Sequence, residues 1–272
     1  MNNKISIIIS AFNEEKVLAN CLGSLSRQTI KDLEIIVVDD GSTDGSRKFA
    51  TLSQNHQGPG AARNLGANKA TGEILVFVDA DMEFAPEFIE KLTKPIIENK
   101  TIGTFSKEEY LLNKNIPLAR CWNLNLGRKF DQMIPSSYPD KSPVYRAILK
   151  SKFNEVGGFD TKIGYTDDWT ISRKLRVEAT VAKGAIFYHR NPETLSEIWT
   201  QARWFGKNEF LTGSTVRKLY NLIRYFPLIA VFKGIVGIVR QREMQFLPFK
   251  IVFDAAVFTS ILLSFFKEQK NK

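Results

Sequence analysis

With 272 residues, the chain can bury a full hydrophobic core without disulfide or metal staples, and a composition of 43% hydrophobic and 25% charged residues excludes an intrinsically disordered protein. A net charge of +9 favours an anionic partner such as a nucleotide diphosphate or acidic lipid headgroups. Nucleic acid is not an expected partner, because no basic run is interleaved with aromatic residues and no nucleic-acid-binding motif is present.

The first third of the chain alternates strand-like and helix-like patterns. Apolar runs at residues 5–12, 33–40 and 73–81 predict strands, and amphipathic patterns from Glu15 to Arg27 and after Thr43 predict helices between them. Runs of Ile and Val without polar alternation suit strands that are buried on both faces. The pattern therefore predicts an α/β fold, in which a parallel sheet carries helices on both faces.

The next segment predicts one more repeat of this pattern and then changes character. Residues 86–98 predict a helix that begins near Pro86, and residues 101–106 predict a strand. Between residues 107 and 143, Asn, Lys, Pro and Ser dilute the apolar residues. This indicates a second subdomain with long loops that close over a substrate.

Polar and acidic residues follow three of the predicted strands. They are Asn13 and Glu14, then the run Asp39-Asp40-Gly41-Ser42, and then the pair Asp79 and Asp81. Because ligands of open α/β sheets bind outside the carboxyl ends of the parallel strands, we expect these clusters to meet in one crevice.

Each cluster has a functional and a purely structural interpretation. Asp79 and Asp81 are two residues apart, so both carboxylates can share a hard cation with substrate phosphates, or they can simply cap a helix or form a solvated turn. Asp40 can accept from a nucleobase N–H, or its run can be a turn before the next helix. Residues 58–64 open a helix, and with Arg63 they suit a diphosphate, although an ordinary Gly-Pro turn is the alternative.

Taken in order, these motifs resemble glycosyltransferase family 2, whose members have the GT-A fold. The matching segments are SAFNEE (10–15), VVDDGSTDGS (37–46), GPGAARNLG (58–66), VDAD (78–81), VGGFD (156–160) and TDDWTISRKL (166–175). The resemblance covers about the first 210 residues, and the ordered set is far more specific than any one motif.

The resemblance implies an inverting, metal-dependent enzyme that moves one sugar from a nucleotide-sugar donor to an acceptor hydroxyl, with Mn or Mg as the divalent cation. It implies a donor-binding, Rossmann-like subdomain at residues 1–105, an acceptor-binding subdomain at residues 106–213 and a helical C-terminal tail at residues 214–272. The expected acceptor is a glycan, on a lipid-linked or envelope carrier.

The resemblance also assigns roles to residues by position. Asp81 matches the metal-binding carboxylate, and the donor-binding positions are Ala11, Asn13, Glu14, Asp40, Arg63 and Asp79. Asp168 matches the catalytic base, which accepts the proton of the acceptor hydroxyl, and Asp167 stands where the family usually has Glu. Without the family context, the same two aspartates would simply begin the helix that follows them.

Three basic or neutral residues later in the chain are further candidates. His189 follows the apolar run AIFY, and the resemblance implies that a histidine at this point can complete the metal shell, although a satisfied structural histidine is an equal alternative. Arg203 and Lys207 lie on a predicted helix and can reach the diphosphate, or they can be solvated helix charges.

The chain departs from the family pattern at two places. Between residues 46 and 58 only a brief helix and TLSQNHQ fit, so the expected third strand is in doubt. Processive members carry Gln-x-x-Arg-Trp, whereas Gln201-Ala202-Arg203-Trp204 is one residue shorter. The sequence therefore favours a single transfer over polymer synthesis.

Two other functions are compatible with a nucleotide-binding α/β fold. A sugar nucleotidyltransferase should have a Gly-rich loop with Arg and Lys directly after the first strand, but SAFNEE stands there instead. A nonenzymatic nucleotide-sugar-binding protein would lack the metal pair or the base, and this chain has candidates for both.

The tail contains two strongly apolar segments, residues 219–239 and 246–266, and each includes charged residues. A spanning helix needs ~20 mostly apolar residues, and a charge at mid-depth costs ~2.5 to 3.5 kcal/mol, so both are marginal spans. Bordering basic residues favour association with an acidic membrane surface, namely Arg217, Lys218, Arg240, Arg242, Lys267 and Lys270. The alternative is a helical pair packed on the rest of the chain or on a homodimer partner.

Two features indicate the compartment. Cys21 and Cys121 lie far apart and lack the spacing of a zinc or redox pair, which favours buried thiols in a reducing compartment. The stretch from Ile5 to Phe12 has no small-residue cleavage site after it, so it is predicted to be a strand and not a signal peptide. We expect a cytoplasmic protein that is peripheral to a membrane or anchored there through its tail.

Overall fold

Strands and helices alternate along the chain. The structure is a computed structural model that describes residues 4–161, 168–210 and 214–266, without the side chains of residues 205–210. The strands, numbered in chain order, are β1 (Ile5–Ala11), β2 (Leu33–Asp39), β3 (Leu52–Ser53), β4 (Ile74–Asp79), β5 (Met82–Phe84), β6 (Gly103–Phe105), β7 (Glu109–Leu111), β8 (Lys141–Ser142), β9 (Ala147–Leu149), β10 (Ala179–Val181) and β11 (Phe187–His189).

The helices are numbered in the same way. They are α1 (Glu15–Ser26), α2 (Pro59–Lys69), α3 (Phe88–Ile97), α4 (Pro117–Asn125), α5 (Lys150–Glu155), α6 (Thr170–Leu175), α7 (Leu195–Phe210), α8 (Thr215–Arg224), α9 (Pro227–Gln241) and α10 (Phe246–Leu263). A 3-10 helix at Gly45–Phe49 and the two-residue β3 occupy the place of the doubtful third strand, so this strand is present but short.

The larger sheet is mixed, and its first part is parallel. Its strand order is β3-β2-β1-β4-β9-β6-β10-β8, and β1 pairs in parallel with both β2 and β4. The parallel pairing predicted for the strands of the first third is confirmed, and the later strand β9 runs antiparallel to its neighbours β4 and β6. A smaller sheet has the order β5-β11-β7.

Helices cover both faces of the larger sheet, as the sequence predicts. Alternate residues of β1 and β4 enter two separate hydrophobic cores, because successive side chains of a strand point to opposite faces. One core includes Ile9 of β1 together with residues of α1 and α3, such as Leu92. The other includes Ile8 together with residues of α2 and α5, such as Phe153. The expected α/β architecture is confirmed.

The chain forms two compact units, each described here by itself. The α/β unit consists of Met1–Tyr110 and Ile134–His189, and the helical unit consists of Leu111–Met133 and Arg190–Lys272. These units divide the chain by packing. The division by function into residues 1–105, 106–213 and 214–272 stays a prediction.

Helix α10 is the centre of the helical unit. It packs against α4, α7, α8 and α9, and its side chains Phe249 and Phe253 share a core with Ile198 of α7 and Cys121 of α4. By length and composition, α10 alone could cross a membrane, or two spans could form if α8 and α9 counted as one, but half of the apolar window of α10 is buried inside the protein. The predicted helical tail is confirmed.

A buried ion pair lies within α10. Lys250 Nζ is 2.7 Å from Asp254 Oδ1 and 2.9 Å from the Oδ1 of Asn125 on α4. Asp254 has no exposed side-chain surface, and Lys233 of α9 approaches its other oxygen at 3.6 Å. Charges buried in a protein interior need partners of opposite sign, so this pair fixes the packing of α10 against α4 and α9.

We expect Asp254→Ala to lower the free energy of unfolding by about 3 to 5 kcal/mol, because Lys250 would stay buried without its counter-charge. The double variant Lys250→Met/Asp254→Leu should lose much less, since both charges are removed together. Denaturant titration followed by circular dichroism measures these changes. Glu87→Ala is the matched control, because Glu87 forms an exposed i,i+4 pair with Lys91 at 3.6 Å, and its loss should cost less than about 1 kcal/mol. An equally small loss in Asp254→Ala would contradict the prediction.

Candidate active site

The residues after β2 and before α2 form a hydrogen-bonded loop around Asp40. Asp40 is buried, and its Oδ1 accepts from the Gln54 side chain at 2.7 Å and from the Gln57 backbone N–H at 2.9 Å. Its Oδ2 accepts from the Gly58 backbone N–H at 2.8 Å and lies 3.0 Å from His56 Nδ1. Both carboxylate oxygens of Asp40 are therefore occupied by the segment that leads directly into α2.

The loop after β1 is tied to the loop after β2. Ala11 ends β1, and its carbonyl accepts from the Asp40 N–H at 2.8 Å. Asn13 has a left-handed backbone with φ of 59°, and its Oδ1 accepts from the Thr43 N–H at 2.8 Å. The Glu14 N–H donates to Ser46 Oγ at 2.7 Å. These bonds hold the predicted donor-binding residues of the two parallel strands side by side.

Arg63, on α2, joins two of the predicted site carboxylates. Its Nη2 lies 2.8 Å from Asp79 Oδ1, and its Nη1 binds Asp168 Oδ1. Only 7% of the Arg63 side chain is exposed, so the guanidinium is largely removed from water and needs carboxylate partners. Arg63 and Asp168 are 105 residues apart, which shows that distant segments of the chain converge here.

Asp79 has a second arginine partner. Arg146, just before β9, places its Nη1 3.2 Å from Asp79 Oδ2. Burial alone would raise the pKa of Asp79, but the charges of Arg63 and Arg146 outweigh it and keep this pKa well below its usual range. Asp79 is therefore an ionised anchor for two arginines.

The neighbouring residue on α2 fixes the VGGFD segment. The Asn64 side chain accepts from the Phe159 N–H and donates to the Phe159 carbonyl, both at 2.9 Å. A Cβ at Gly158 would lie only 2.5 Å from Asn64 Oδ1, so glycine is required for this approach. The Arg63 guanidinium also stacks over the Phe159 ring, 5.7 Å from its centroid. Helix α2 thus binds the segment that precedes Asp168.

A second cluster surrounds Asp81 and His189. His189, on β11, places its Nε2 3.1 Å from Asp81 Oδ2 and its Nδ1 2.7 Å from Glu109 Oε1. Burial alone would lower the pKa of His189, but the carboxylates of Asp81 and Glu109 raise it well above its usual value. The structure therefore brings together the two predicted metal ligands. Within residues 4–161, 168–210 and 214–266, no three or more His, Cys, Asp or Glu side chains are grouped to hold a metal ion.

For two of the predicted residues the structure describes no side chain, and a third lies in the helical unit. Asp167 lies outside the described residues, and so does the side chain of Lys207. Arg203 lies on α7 in the helical unit, where its carbonyl accepts from Ser260 Oγ at 2.8 Å. Their roles toward the donor stay predictions.

Three residues of the site were not predicted from the sequence. Arg146 precedes the apolar strand β9, Glu109 is the second acid of a Glu-Glu pair, and His56 stacks on Phe12 with ring centroids 4.2 Å apart. A charged residue at the start of an apolar run was the available signal for Arg146 and Glu109. Neither signal identifies the partner, because each partner is distant in the sequence.

Comparison with known proteins identifies the family of the chain. The model of the family "Glycosyl transferase family 2" matches residues 6–157. An uncharacterized glycosyltransferase of Nostoc sp. is 37% identical over 112 residues, which cover 37% of this chain and 35% of that protein. Glycosyltransferase GlyA of Streptococcus pneumoniae is 37% identical over 109 residues, 36% of this chain and 16% of its own length. The matched segments are thus a minority of the length of these relatives.

A third relative and the solved structures extend the comparison. The poly(ribitol-phosphate) beta-glucosyltransferase of Bacillus spizizenii is 35% identical over 129 residues, 42% of this chain and 20% of that protein. The crystal structure of S. aureus TarS 1–349 in complex with UDP-GlcNAc has a TM-score of 0.55 at 18% identity, and the match covers 96% of this chain and 92% of TarS 1–349. Uncomplexed TarS 1–349 gives a TM-score of 0.55 at 15% identity.

The likeness to TarS shows that the fold is of the GT-A type. Because the family model also matches more than half of the sequence, the chain belongs to glycosyl transferase family 2.

Proposed function

We propose that this protein transfers a single sugar from a nucleotide-sugar donor to an acceptor hydroxyl, with inversion at the anomeric carbon. The observation that carries the proposal is the convergence of Asp79 and Asp168 on Arg63 at the carboxyl end of β4. This is the edge of an α/β sheet at which ligands bind. The alternative of a sugar nucleotidyltransferase has no comparable support.

The donor is proposed from the fold and from the loops after β1 and β2. The related TarS fold is known in complex with UDP-GlcNAc, so a uridine diphosphate sugar is the first donor class to test. Ala11, Asn13 and Glu14 line the proposed base and ribose site. Because the protein itself occupies both oxygens of Asp40, we propose that Asp40 shapes the base pocket through the loop that it holds.

Asp81 and His189 are proposed to hold the divalent cation, Mn or Mg. The Asp81 carboxylate suits Mg or Mn, and His189 Nε2, which lies 3.1 Å from it, can add an imidazole ligand once it gives up its proton. Both side chains are about a quarter exposed, so water and substrate phosphates can supply the other ligands. Glu109 binds the other ring nitrogen of His189 and so directs Nε2 toward Asp81. When bound, the cation would supply positive charge to the departing diphosphate.

Asp168 is proposed as the catalytic base. Its carboxylate accepts the proton of the acceptor hydroxyl while that oxygen forms a bond to C1 of the donor. The bond between C1 and the diphosphate oxygen breaks at the same time, and its electron pair leaves with the diphosphate. Attack on the face opposite the leaving group inverts the anomeric carbon. Arg63 fixes the position of Asp168, because one guanidinium nitrogen binds its carboxylate.

The remaining roles follow the same scheme. We propose that Arg203 and Lys207 approach the diphosphate, that Asp167 contacts the acceptor and that residues 106–213 form most of the acceptor site. The poly(ribitol-phosphate) beta-glucosyltransferase among the relatives suggests a glycan of the cell envelope or its lipid-linked precursor as the acceptor. Transfer would then take place at the cytoplasmic side of a membrane.

We expect Asp168→Asn to lower kcat for sugar transfer by about 10² to 10⁴-fold, because the amide cannot accept the acceptor proton. The Kd for the donor should change little, since a base that acts in the transition state contributes mainly to kcat. Release of the nucleoside diphosphate measures kcat, and calorimetry measures Kd. The control is Asp140→Asn, which removes a carboxylate that is 63% exposed and paired with Lys107. Wild-type turnover in Asp168→Asn would remove this residue from the mechanism.

The cation site predicts that donor binding depends on a divalent ion. UDP at about 100 times its Kd should stabilise the wild type by about 2.7 kcal/mol in the presence of Mn, and a chelator should reduce this effect. In Asp81→Asn and His189→Ala the Mn-dependent part of the stabilisation should be lost. Thermal unfolding with and without UDP provides the readout, and Asp32→Asn is the control because Asp32 is exposed. Unchanged Mn dependence in both site variants would place the cation elsewhere.

A further inference from the structure

Helix α8 has its apolar face turned outward. Val216, Leu219, Tyr220 and Ile223 follow the i, i+3, i+4, i+7 spacing of one helix face, and all four are exposed, Val216 by 77% and Ile223 by 68%. The polar Asn221 is buried instead. A helix of a water-soluble domain shows the opposite arrangement, so this face indicates a partner that is itself apolar.

Helix α9 repeats the inversion. Its large side chains Leu228, Phe232 and Val239 are 74%, 69% and 78% exposed. Its inner side consists of small residues, including the buried Gly234 and Gly237. We call α8 and α9 together the apolar helix pair (residues 215–241), and the large apolar side chains of this pair are exposed.

All charges of the apolar helix pair and its borders have the same sign. Residues 214–242 contain six Lys or Arg residues and no Asp or Glu. Arg217 and Arg224 are seven residues apart, so they lie on one side of α8 next to its apolar stripe. Arg224, Arg240 and Arg242 are exposed and form no salt bridge with a carboxylate of the described part of the chain. Apolar side chains bordered by exposed cations match the interface of an anionic bilayer.

The dimensions of these helices favour a position in the interface over a span. At about 1.5 Å per residue, α8 and α9 are roughly 15 Å and 22 Å long, and both are shorter than the ~30 Å hydrocarbon core. The two helices are bent by 54° relative to each other. The longer α10 carries the buried pair Lys250 and Asp254, whose partners lie inside the protein. Helix α10 is therefore a core helix of this unit.

We propose that the apolar helix pair is a monotopic membrane anchor, which lies in the headgroup region of an anionic bilayer with the large apolar side chains of α8 and α9 inserted. The proposal rests on the helical unit alone and does not depend on the proposed sugar transfer. A second copy of the chain is a weaker candidate for this surface, because a symmetric contact would bring the exposed arginines of two copies together, and residues 214–242 contain no carboxylate that could lie between them.

The test is co-sedimentation of the full chain with vesicles. Vesicles of phosphatidylcholine and phosphatidylglycerol in equal parts should bind the protein, whereas phosphatidylcholine alone should bind it far more weakly. Binding should fall as salt is raised from about 0.1 M to about 1 M, because exposed charges are then screened. Extraction at high pH should release the protein, since the proposal has none of the described helices crossing the bilayer.

Paired variants separate the two contributions. Arg224→Gln/Arg240→Gln should weaken binding to the mixed vesicles by about 25-fold, which is about fivefold for each cation. The control Lys31→Gln/Lys69→Gln removes two exposed cations of the α/β unit and should leave binding unchanged. Leu228→Gln/Phe232→Gln should weaken binding by at least about tenfold. Its control is Phe130→Gln, because Phe130 is 46% exposed and does not belong to the apolar helix pair.

Two further measurements keep the outcome decisive. In Val239→Trp, bromine-labelled lipids should quench the indole most strongly when the bromine is near the headgroups. Sedimentation of the wild type without lipid reports the oligomeric state. Equal binding to both vesicle types, resistance to high-pH extraction, or a stable dimer that Leu228→Gln/Phe232→Gln dissociates while vesicles fail to bind would each overturn the proposal.

Discussion

The candidate site depends on the burial of one guanidinium. Arg63 lies almost wholly out of water, and a cation in that position is stable only if carboxylates surround it. One carboxylate, Asp79, ends β4, and the other, Asp168, lies two residues before the start of α6. Folding of the α/β unit must bring both ends to α2, since any arrangement that separated them would leave a charge buried alone. The electrostatic requirement of Arg63 thus fixes the geometry of the site.

The same requirement explains why two aspartates so close in sequence differ in their chemistry. Asp79 is bound by two arginines. A guanidinium keeps its protons under all ordinary conditions, so neither arginine can become a metal ligand in place of its contact with Asp79. Asp81 is bound by His189, whose imidazole, unlike a guanidinium, can release a proton when a metal ion competes for its nitrogen. In this chain the first aspartate of the Asp-x-Asp motif anchors two arginines, which is why we propose the second, Asp81, as the metal ligand.

The sequence could predict the strands and the sheet edge at which the acidic residues gather, but not which residues distant in the sequence form pairs. Buried Ile and Val runs predict β1, β2 and β4 because burial on both faces leaves a local composition signal. The clustering of acids at the strand ends follows from the parallel arrangement. Arg146, in contrast, is 67 residues from Asp79, and no local pattern indicates which carboxylate a distant arginine will meet. The antiparallel insertion of β9 was missed for the same reason, since strand order is decided by contacts remote in the sequence.

The tail shows a different limit of sequence reasoning. Periodicity identifies an apolar stripe, but a stripe that faces the core and a stripe that faces outward have the same spacing. In α9 the direction is decided by Gly234 and Gly237, where a Cβ would lie 2.6 Å from Leu247 and 2.1 Å from Phe246 of α10. Because the two helices can approach this closely only through the glycines, rotating α9 to bury Phe232 would lose that packing. The outward apolar face is therefore specified by the small residues opposite it, and its exposure is a property of the fold.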